Sequence, residues 1–550
     1  FQVSRPRISS QGERDDDLNV SRLYITRRSQ TPGRESTEQE EHAEKEADED
    51  KRRKKTMEID DGATPVTEIK EMPVARRARE SPWTAVPMPH AFRLIEQHMP
   101  CGVTKTVPAV LAKTGQVLAS RVYAQASVPE FPTSVKDGYA VIASDPSEIR
   151  RVRGAVVAGG EEGAAAATTI EENIPDPDPL QPGECIRICT GAVLPLGADA
   201  VIMVEQTALV RDDGEEELEI RILQPVKEGQ DVRSPGSDMR AGDILLEANT
   251  VLGSAEIGVL ASNAPREIEV FRRPRVCVMS TGNEIVDCHS EQPLKRGQTR
   301  DSNRPQLMAL FNGYGFKAID AGIIPDNRLA LVEGIRVALR FANVLVTTGG
   351  VSMGEKDLMK SVLAENFGFK IHFGRVWMKP GLPATFATGI FEGIPCAVFA
   401  LPGNPVSSWV CAELFAVPAL RRLAGHPKPY QTVIKCRLAN ALRLDRRPEY
   451  VRGRMEQPEE DEEEKKPEEV KDGAVKSSSE MDSDSGGKIK NLKREELLLL
   501  PLVRATGSQC SSRLMSLAGA NLLLRLPERT EQRDRLEAGE VVDALVVGNI

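Results

Sequence analysis

The stretch Asn343–Pro383, NVLVTTGGVSMGEKDLMKSVLAENFGFKIHFGRVWMKPGLP, decides how this 550-residue chain is organised. Its apolar run Val344–Val346 ends in Thr347-Thr348-Gly349-Gly350, and a short loop with Ser352, Glu355, Lys356 and Asp357 leads into an amphipathic helical pattern. That is the order of a strand, a glycine turn and a helix start. Glycines at such a junction let backbone N–H groups approach an anion at the positive end of the new helix. Asp357 offers a hard oxygen for a cation such as Mg²⁺. Arg375 and Lys379 stand four apart on a segment that reads as a strand, so both are expected on one face. The set suggests a phosphate-type site. Gly349-x4-Gly354 is followed by Glu355-Lys356-Asp357, which lacks the Lys-Ser/Thr pair of a Walker loop, so a P-loop NTPase is not expected. On spacing alone TTGGVSMG is as readily an ordinary strand-to-helix turn, and Asp357 a first-turn carboxylate favoured by the helix dipole.

Outward from this stretch, residues from Arg275 alternate: strand-like RVCVMSTG, helix-like PQLMALFNGYG, strand AIDAGIIPD, helix RLALVEGIRVALRF, strand NVLVTTGG, then KIHFGRVWM and CAVFALPG. Such alternation predicts a mostly parallel sheet with helices on both faces, and ligands gather at the carboxyl ends of its strands. Those ends are Ser280–Glu284, Asp326-Asn327, Thr347–Gly350 and Leu401–Pro405. Asn404 can cap and Pro405 suits the first position of a helix Val406–Leu423, whose positive end would welcome an anion. A plain turn between strand and helix explains the same residues.

Upstream, SPWTAVPMPHAFRLIEQHM opens the ordered chain near Ser81. Asp137-Gly138 before the apolar YAVIA run reads as a hairpin turn, and short alternating segments to about Gly229 read as a small β-rich region. Asp238 lies in the SDMRAGDILL turn. Residues 1–80 are polar and charged without apolar period and are expected to be a disordered linker. Their basic clusters Lys51–Lys55 and Arg76–Arg79 are import signals, partner tags or simply solvated linker. After Gly425 a final β-rich segment is broken by an acidic, serine-rich insertion, 456–496, expected to be disordered because long loops cost little extra entropy. A strand is expected to restart at Leu497–Leu500.

Length admits about three or four domains. With 40% hydrophobic and only 4% aromatic residues, the cores must be aliphatic. A net charge of -10 argues against nucleic acid as a partner. Nine cysteines without a CxxC pair fit a reduced, cytoplasmic chain with buried thiols rather than a zinc site. No apolar run is long enough for a membrane span. The chain opens on Phe1 rather than Met, so it is read as a piece of a longer product.

Eight segments are more particular: FPTSVKDGYAV from Phe131, ICTGAVLPLGADAVIMVE from Ile188, MSTGNE from Met279, RDSNRPQL from Arg300, TTGGVSMGEKD from Thr347, HFGRVWMKPGLPATFA from His372, ALPGNPVSS from Ala400 and SQCSSRLMSLAGANLLLRLP from Ser508. In this order, from about Ser81 to Ile550, they resemble the MoeA family of molybdenum insertases, and within it the gephyrin E domain. The resemblance implies four parts: an extended lobe (81–125 and 230–270), a small β subdomain (126–229), a three-layer α/β, MogA-like domain (271–425) and a C-terminal β-barrel (426–550). It implies a homodimer through the α/β domain and extended lobe. The implied activity is transfer of molybdate into the dithiolene of molybdopterin-AMP, with release of AMP and no covalent enzyme intermediate.

On that resemblance Mg²⁺ would be held by Asp301, Asp357 and Glu284, with Asp137 and Asp238 reaching in from the dimer partner. Substrate donors would be Arg375, Lys379, Asn404, Pro405, Ser407 and Ser512, with Thr190, Thr281, Gly349, Gly350, Ser352 and Pro402 as further pocket positions. The family's upstream G domain, which adenylylates molybdopterin, has no match in this chain. Gephyrins also cluster inhibitory glycine and GABA-A receptors, through receptor intracellular loops and alongside cytoskeletal proteins, which would place such a protein at postsynaptic membranes. Phe92 and Pro527 match positions of that groove. Pro89 and Arg533 depart from it, standing where an acidic and an aromatic residue are expected, so Phe92 serves equally as a core staple.

Overall fold

The computed structural model describes residues 83–158, 178–351, 358–456 and 499–548. The expected linker, most of the acidic insertion, and Ser352 and Asp357 lie outside the described residues. The described chain forms two compact units: residues 83–101, 273–421 and 429–548, and residues 102–272 with 422–428.

In the first unit, β1 (Arg275–Thr281), α1 (Asn303–Gly313), β2 (Lys317–Ile324), α2 (Arg328–Phe341), β3 (Val344–Thr348), β4 (Lys370–Phe373), β5 (Thr385–Phe391) and β6 (Ile394–Leu401) build one sheet and its helices. The sheet order is β2-β1-β3-β6-β5-β4. The first four strands are parallel, with Val276 opposite Val344 and Val344 opposite Ala397. Their centres are apolar on both faces, as strands covered by helices must be. Leu331, Ile335 and Ala338 put one face of α2 on Cys277, Met279, Leu345 and Val398. Asn327 starts α2 by accepting the Ala330 N–H at 2.9 Å.

The sheet is mostly parallel, as expected, with an antiparallel edge, and one expected strand is broken. β5 pairs antiparallel with β6 across a tight Glu392-Gly393 turn at φ 48° and 78°, and β4 continues antiparallel at the edge. Arg375 and Lys379 do not share a strand: β4 stops at Phe373, and Val376–Trp377 pairs with Val86–Pro87 instead. Gly374 follows the strand end and packs against Trp83, where a Cβ would lie 2.6 Å from the ring.

Helix α3 (Pro405–Cys411) runs on in helical form to Leu423. Beyond it, β7 (Val433–Leu438), β8 (Glu449–Met455), β9 (Leu502–Ala505), β10 (Leu522–Leu526) and β11 (Val541–Val546) close a barrel in the order β7-β9-β8-β10-β11. Cys436, Leu438, Val451, Val503, Leu522, Leu524, Val542 and Ala544 fill it. Of the strand expected to restart at Leu497–Leu500, Leu499 and Leu500 form a turn ahead of Pro501 and β9 starts at Leu502, while Leu497 and Leu498 lie outside the described residues.

The second unit holds a six-stranded sheet in the order Ala200–Met203, Gly138–Val141, Glu184–Ile188, Ile149–Val156, Glu217–Ile222, Thr207–Asp212. Two-stranded ladders join Thr104–Pro108 to Glu267–Phe271 and Val122–Tyr123 to Ile244–Leu246. Asp137-Gly138 is not a hairpin turn, for Thr133–Ser134 pairs with Val232–Arg233. Gly138 is needed for another reason: a Cβ would meet the Ile202 carbonyl at 1.9 Å. No helix among the described residues is long and apolar enough to cross a membrane.

Candidate functional site

Parallel strands end their ladders on one edge, and the backbone must turn there into helices. In the first unit those turns line a cavity of about 730 Å³ with five separate segments: Ser280–Glu284 after β1, Thr299–Asn303 before α1, Thr348–Val351 after β3, Pro402–Pro405 after β6, and Ser512 with Leu514 from the barrel. Asp326, after β2, and Pro383, before β5, complete the wall. Close approach dictates the glycines. Gly349 has φ 87°, and a Cβ on it would sit 2.5 Å from the Thr281 carbonyl oxygen. Thr281 Oγ1 donates to the Thr348 carbonyl at 3.3 Å, so these turns brace one another.

The charged core of the cavity wall is Asp301. Its Oδ1 accepts from Ser280 Oγ at 2.9 Å and from the Arg304 backbone N–H at 3.1 Å, and Arg304 Nε donates to Oδ2 at 2.9 Å. Asp301 and Arg304 are both buried. The same guanidinium binds Asp320, and Asp287 at 2.9 Å, so three carboxylates converge on one cation. Burial alone would lower the Arg304 pKa, but the hydrogen bonds of Asp301 and Asp320 more than offset it and hold the guanidinium firmly charged. Asn303 donates its Nδ2 to the Gly403 carbonyl at 2.8 Å, which leaves Oδ1 buried with no protein partner.

The barrel contributes through a loop wound around a buried arginine. Arg452 is fully buried, its Nε and Nη2 lie 3.3 and 3.2 Å from Ser516 Oγ, and its backbone carbonyl accepts from Thr506 and Gln509. Burial pushes its pKa down to about 10. The loop so held presents Ser511, whose carbonyl accepts the Val406 N–H at 3.2 Å, and Ser512, which lines the cavity.

Of the residues singled out from sequence, Glu284, Asp301, Thr281, Gly349, Gly350, Pro402, Asn404, Pro405 and Ser512 all line this one cavity. Asn404 is at the N-cap position of α3 but does not cap with its side chain, which instead donates Nδ2 to Ser511 Oγ at 3.1 Å. Ser407 is buried inside α3, and Arg375 is half-buried; neither lines the cavity. Lys379 is absent from the cavity wall as well, its ammonium held by Asp445 and Glu449 at 3.2 and 3.1 Å. In the second unit Asp137 and Thr190 meet: Asp137 Oδ1 accepts the Thr190 N–H at 2.8 Å and its hydroxyl at 3.2 Å. Asp238 is gripped by the Arg233 fork. Phe92 packs on Phe415 and Tyr430 with centroids 5.9 and 5.4 Å away, and Pro527 is exposed. Asp326, expected at a ligand-gathering strand end, also lines the cavity, whereas Asn303 and Arg304 were given no role from sequence. The signal for Arg304 was its position three after Asp301 at a helix start.

Comparison with known proteins agrees with this arrangement. Residues 86–264 match the MoeA N-terminal region (domain I and II), 277–422 the probable molybdopterin binding domain, and 500–547 the MoeA C-terminal region (domain IV). A molybdopterin molybdenumtransferase from Nostoc is 38% identical over 62% of this chain and 76% of its own length. A gephyrin from Dictyostelium discoideum is 32% identical over 86% of the chain. The chain spans less than two thirds of the length of such eukaryotic relatives, 64% of that gephyrin. The crystal structure of a molybdopterin biosynthesis MoeA protein from Pyrococcus horikoshii superposes with a TM-score of 0.63 at 26% identity, covering 85% of this chain and all of that one. With its six-stranded α/β sheet and five-stranded barrel, the chain belongs to the MoeA family.

Proposed function

We propose that the chain is a molybdopterin molybdotransferase, which transfers molybdate into adenylylated molybdopterin and releases AMP. The observation that carries this reading is the convergence of carboxylates, glycine turns and hydroxyls from six segments of the chain on one cavity of a size suited to a nucleotide-bearing substrate. Gly349 and Gly350 expose backbone at the strand end, where a phosphate or oxyanion can be approached closely. Arg304 keeps Asp301 oriented, and the Asn303 Oδ1 acceptor is left for an N–H or O–H of the substrate. The oxygen donors of the wall, Glu284, Asp301 and Asp326, suit a hard divalent cation. Mg²⁺ held there would neutralise charge on the pyrophosphate linkage as AMP leaves. Mg²⁺ dependence and a homodimer are parts of the same proposal. Its test is AMP release from molybdopterin-AMP with molybdate and Mg²⁺. Wild-type chain releases AMP and Asp301→Ala does not; release unchanged in the variant overturns the reading.

A second reading, a gephyrin-like receptor scaffold, is favoured by Phe92, whose half-buried ring keeps part of its surface outward. Calorimetry with a receptor intracellular-loop peptide tests it. Loss of binding in Phe92→Ala supports it, and no binding by the wild-type chain ends it.

A further inference from the structure

Outside the cavity, one group of side chains has the chemistry of a second ligand site. We propose that Asp287, Cys288 and His289 bind a thiophilic divalent ion of the Zn²⁺ class. The three residues form a turn after Val286, and a carboxylate oxygen, a thiol sulfur and an imidazole nitrogen all lie within 4.8 Å of one another. Asp287 and Cys288 are half-buried and His289 is exposed, so the set is open to an ion from solvent. A tetrahedral ion with bonds of about 2.0–2.3 Å needs ligand atoms roughly 3.3–3.8 Å apart. The atoms lie within 4.8 Å, so binding would draw the three side chains closer together.

The turn is braced before any ion arrives. The His289 N–H donates to Asp287 Oδ1 at 2.9 Å, the Ser290 N–H to the Asp287 carbonyl at 3.0 Å, and Arg300 Nη1 to the Ser290 carbonyl at 2.6 Å. Binding would take Cys288 as the thiolate and release its proton.

Ligand type sets the ion. A mixed sulfur, nitrogen and oxygen set selects Zn²⁺ over Mg²⁺, which prefers oxygen alone, so this site is chemically distinct from the cavity. Three protein ligands leave the fourth position to water. The ion would share Asp287 with Arg304, one ion pair from Asp301, yet its binding does not depend on the molybdotransferase reading.

Co²⁺ titrated into the reduced chain tests the site by spectroscopy. One equivalent should give a thiolate-to-cobalt charge-transfer band that Zn²⁺ abolishes. Cys288→Ser should lose the band and His289→Ala should weaken Co²⁺ binding at least about tenfold, both with wild-type thermal melts. Absence of the band, its survival in Cys288→Ser, or unchanged affinity in His289→Ala overturns the proposal. A surviving band would report another accessible thiol such as Cys101 or Cys510.

Discussion

Replacing Arg304 by Met removes the one guanidinium that three carboxylates share while roughly keeping its volume. Removing one partner of a buried ion pair costs about 3–5 kcal/mol, because the other charge stays buried without compensation. Here Asp301, only 2% exposed, would lose Arg304, and Asp320 and Asp287 would each lose an ion pair to it, so the upper end of that range applies. Asp301→Asn breaks the same ion pair from the other side. Arg304 then still has Asp287 and Asp320, so the loss is about 1.5–3 kcal/mol, that of one charge-assisted hydrogen bond. All three tryptophans, Trp83, Trp377 and Trp409, lie in the first unit, so urea unfolding followed by tryptophan fluorescence reads that unit. Arg304→Met should lower the midpoint by about 1–2 M. The carboxylates stranded in the variant would hold protons more readily folded than unfolded. Stability should therefore recover as pH falls toward about 4 and decline again as pH rises. A variant within about 1 kcal/mol of wild type, or Asp301→Asn less stable than Arg304→Met, refutes the hub.

Gly349→Ala forces an L residue into φ 87° and its Cβ to 2.5 Å from the Thr281 carbonyl, so about 2–5 kcal/mol should be lost in the same urea assay. Asn303→Ala, which deletes the unpartnered Oδ1 together with the Nδ2 donor to Gly403, should raise KM for molybdopterin-AMP about tenfold and cost about 1 kcal/mol in the urea assay. Burial pushes the Glu413 carboxyl up to about 7, while it accepts from Tyr314 Oη at 3.0 Å. A carboxyl with a raised folded pKa stabilises most below its unfolded value, so this contribution, about 3 kcal/mol, fades between about pH 4.5 and 7. Glu413→Gln should remove that fading. His372, lowered to about 4 by burial, has the opposite sign over a similar window, so the difference between wild type and Glu413→Gln is the quantity to measure.

The parallel strands and α2 were legible because apolar runs such as Val344–Val346 and the 3.6-residue period of Arg328–Phe341 are local signals. The hairpin of β5 and β6 was not part of the sequence expectation, although Glu392-Gly393 stands between two apolar runs as a turn signal. Strand-end residues such as Thr281 and Asn404 were legible as a site because open sheets bind at those ends. Lys379 was misleading: its charge and spacing suggest an anion donor, but Asp445 and Glu449, about seventy residues away, take it up. Arg304 was overlooked for the converse reason, since nothing local tells that Asp287 and Asp320 fold onto the guanidinium that holds Asp301. Long-range pairing of this kind is decided by tertiary packing, and the period of a helix says nothing about it.

Soaking crystals of the chain with molybdate and molybdopterin-AMP, and recording anomalous scattering at the molybdenum edge, would locate the metal directly. The account predicts a molybdenum peak within the cavity bounded by Thr281, Asp301, Gly349, Asn404 and Ser512. A fully occupied peak elsewhere, with this cavity empty, would contradict it.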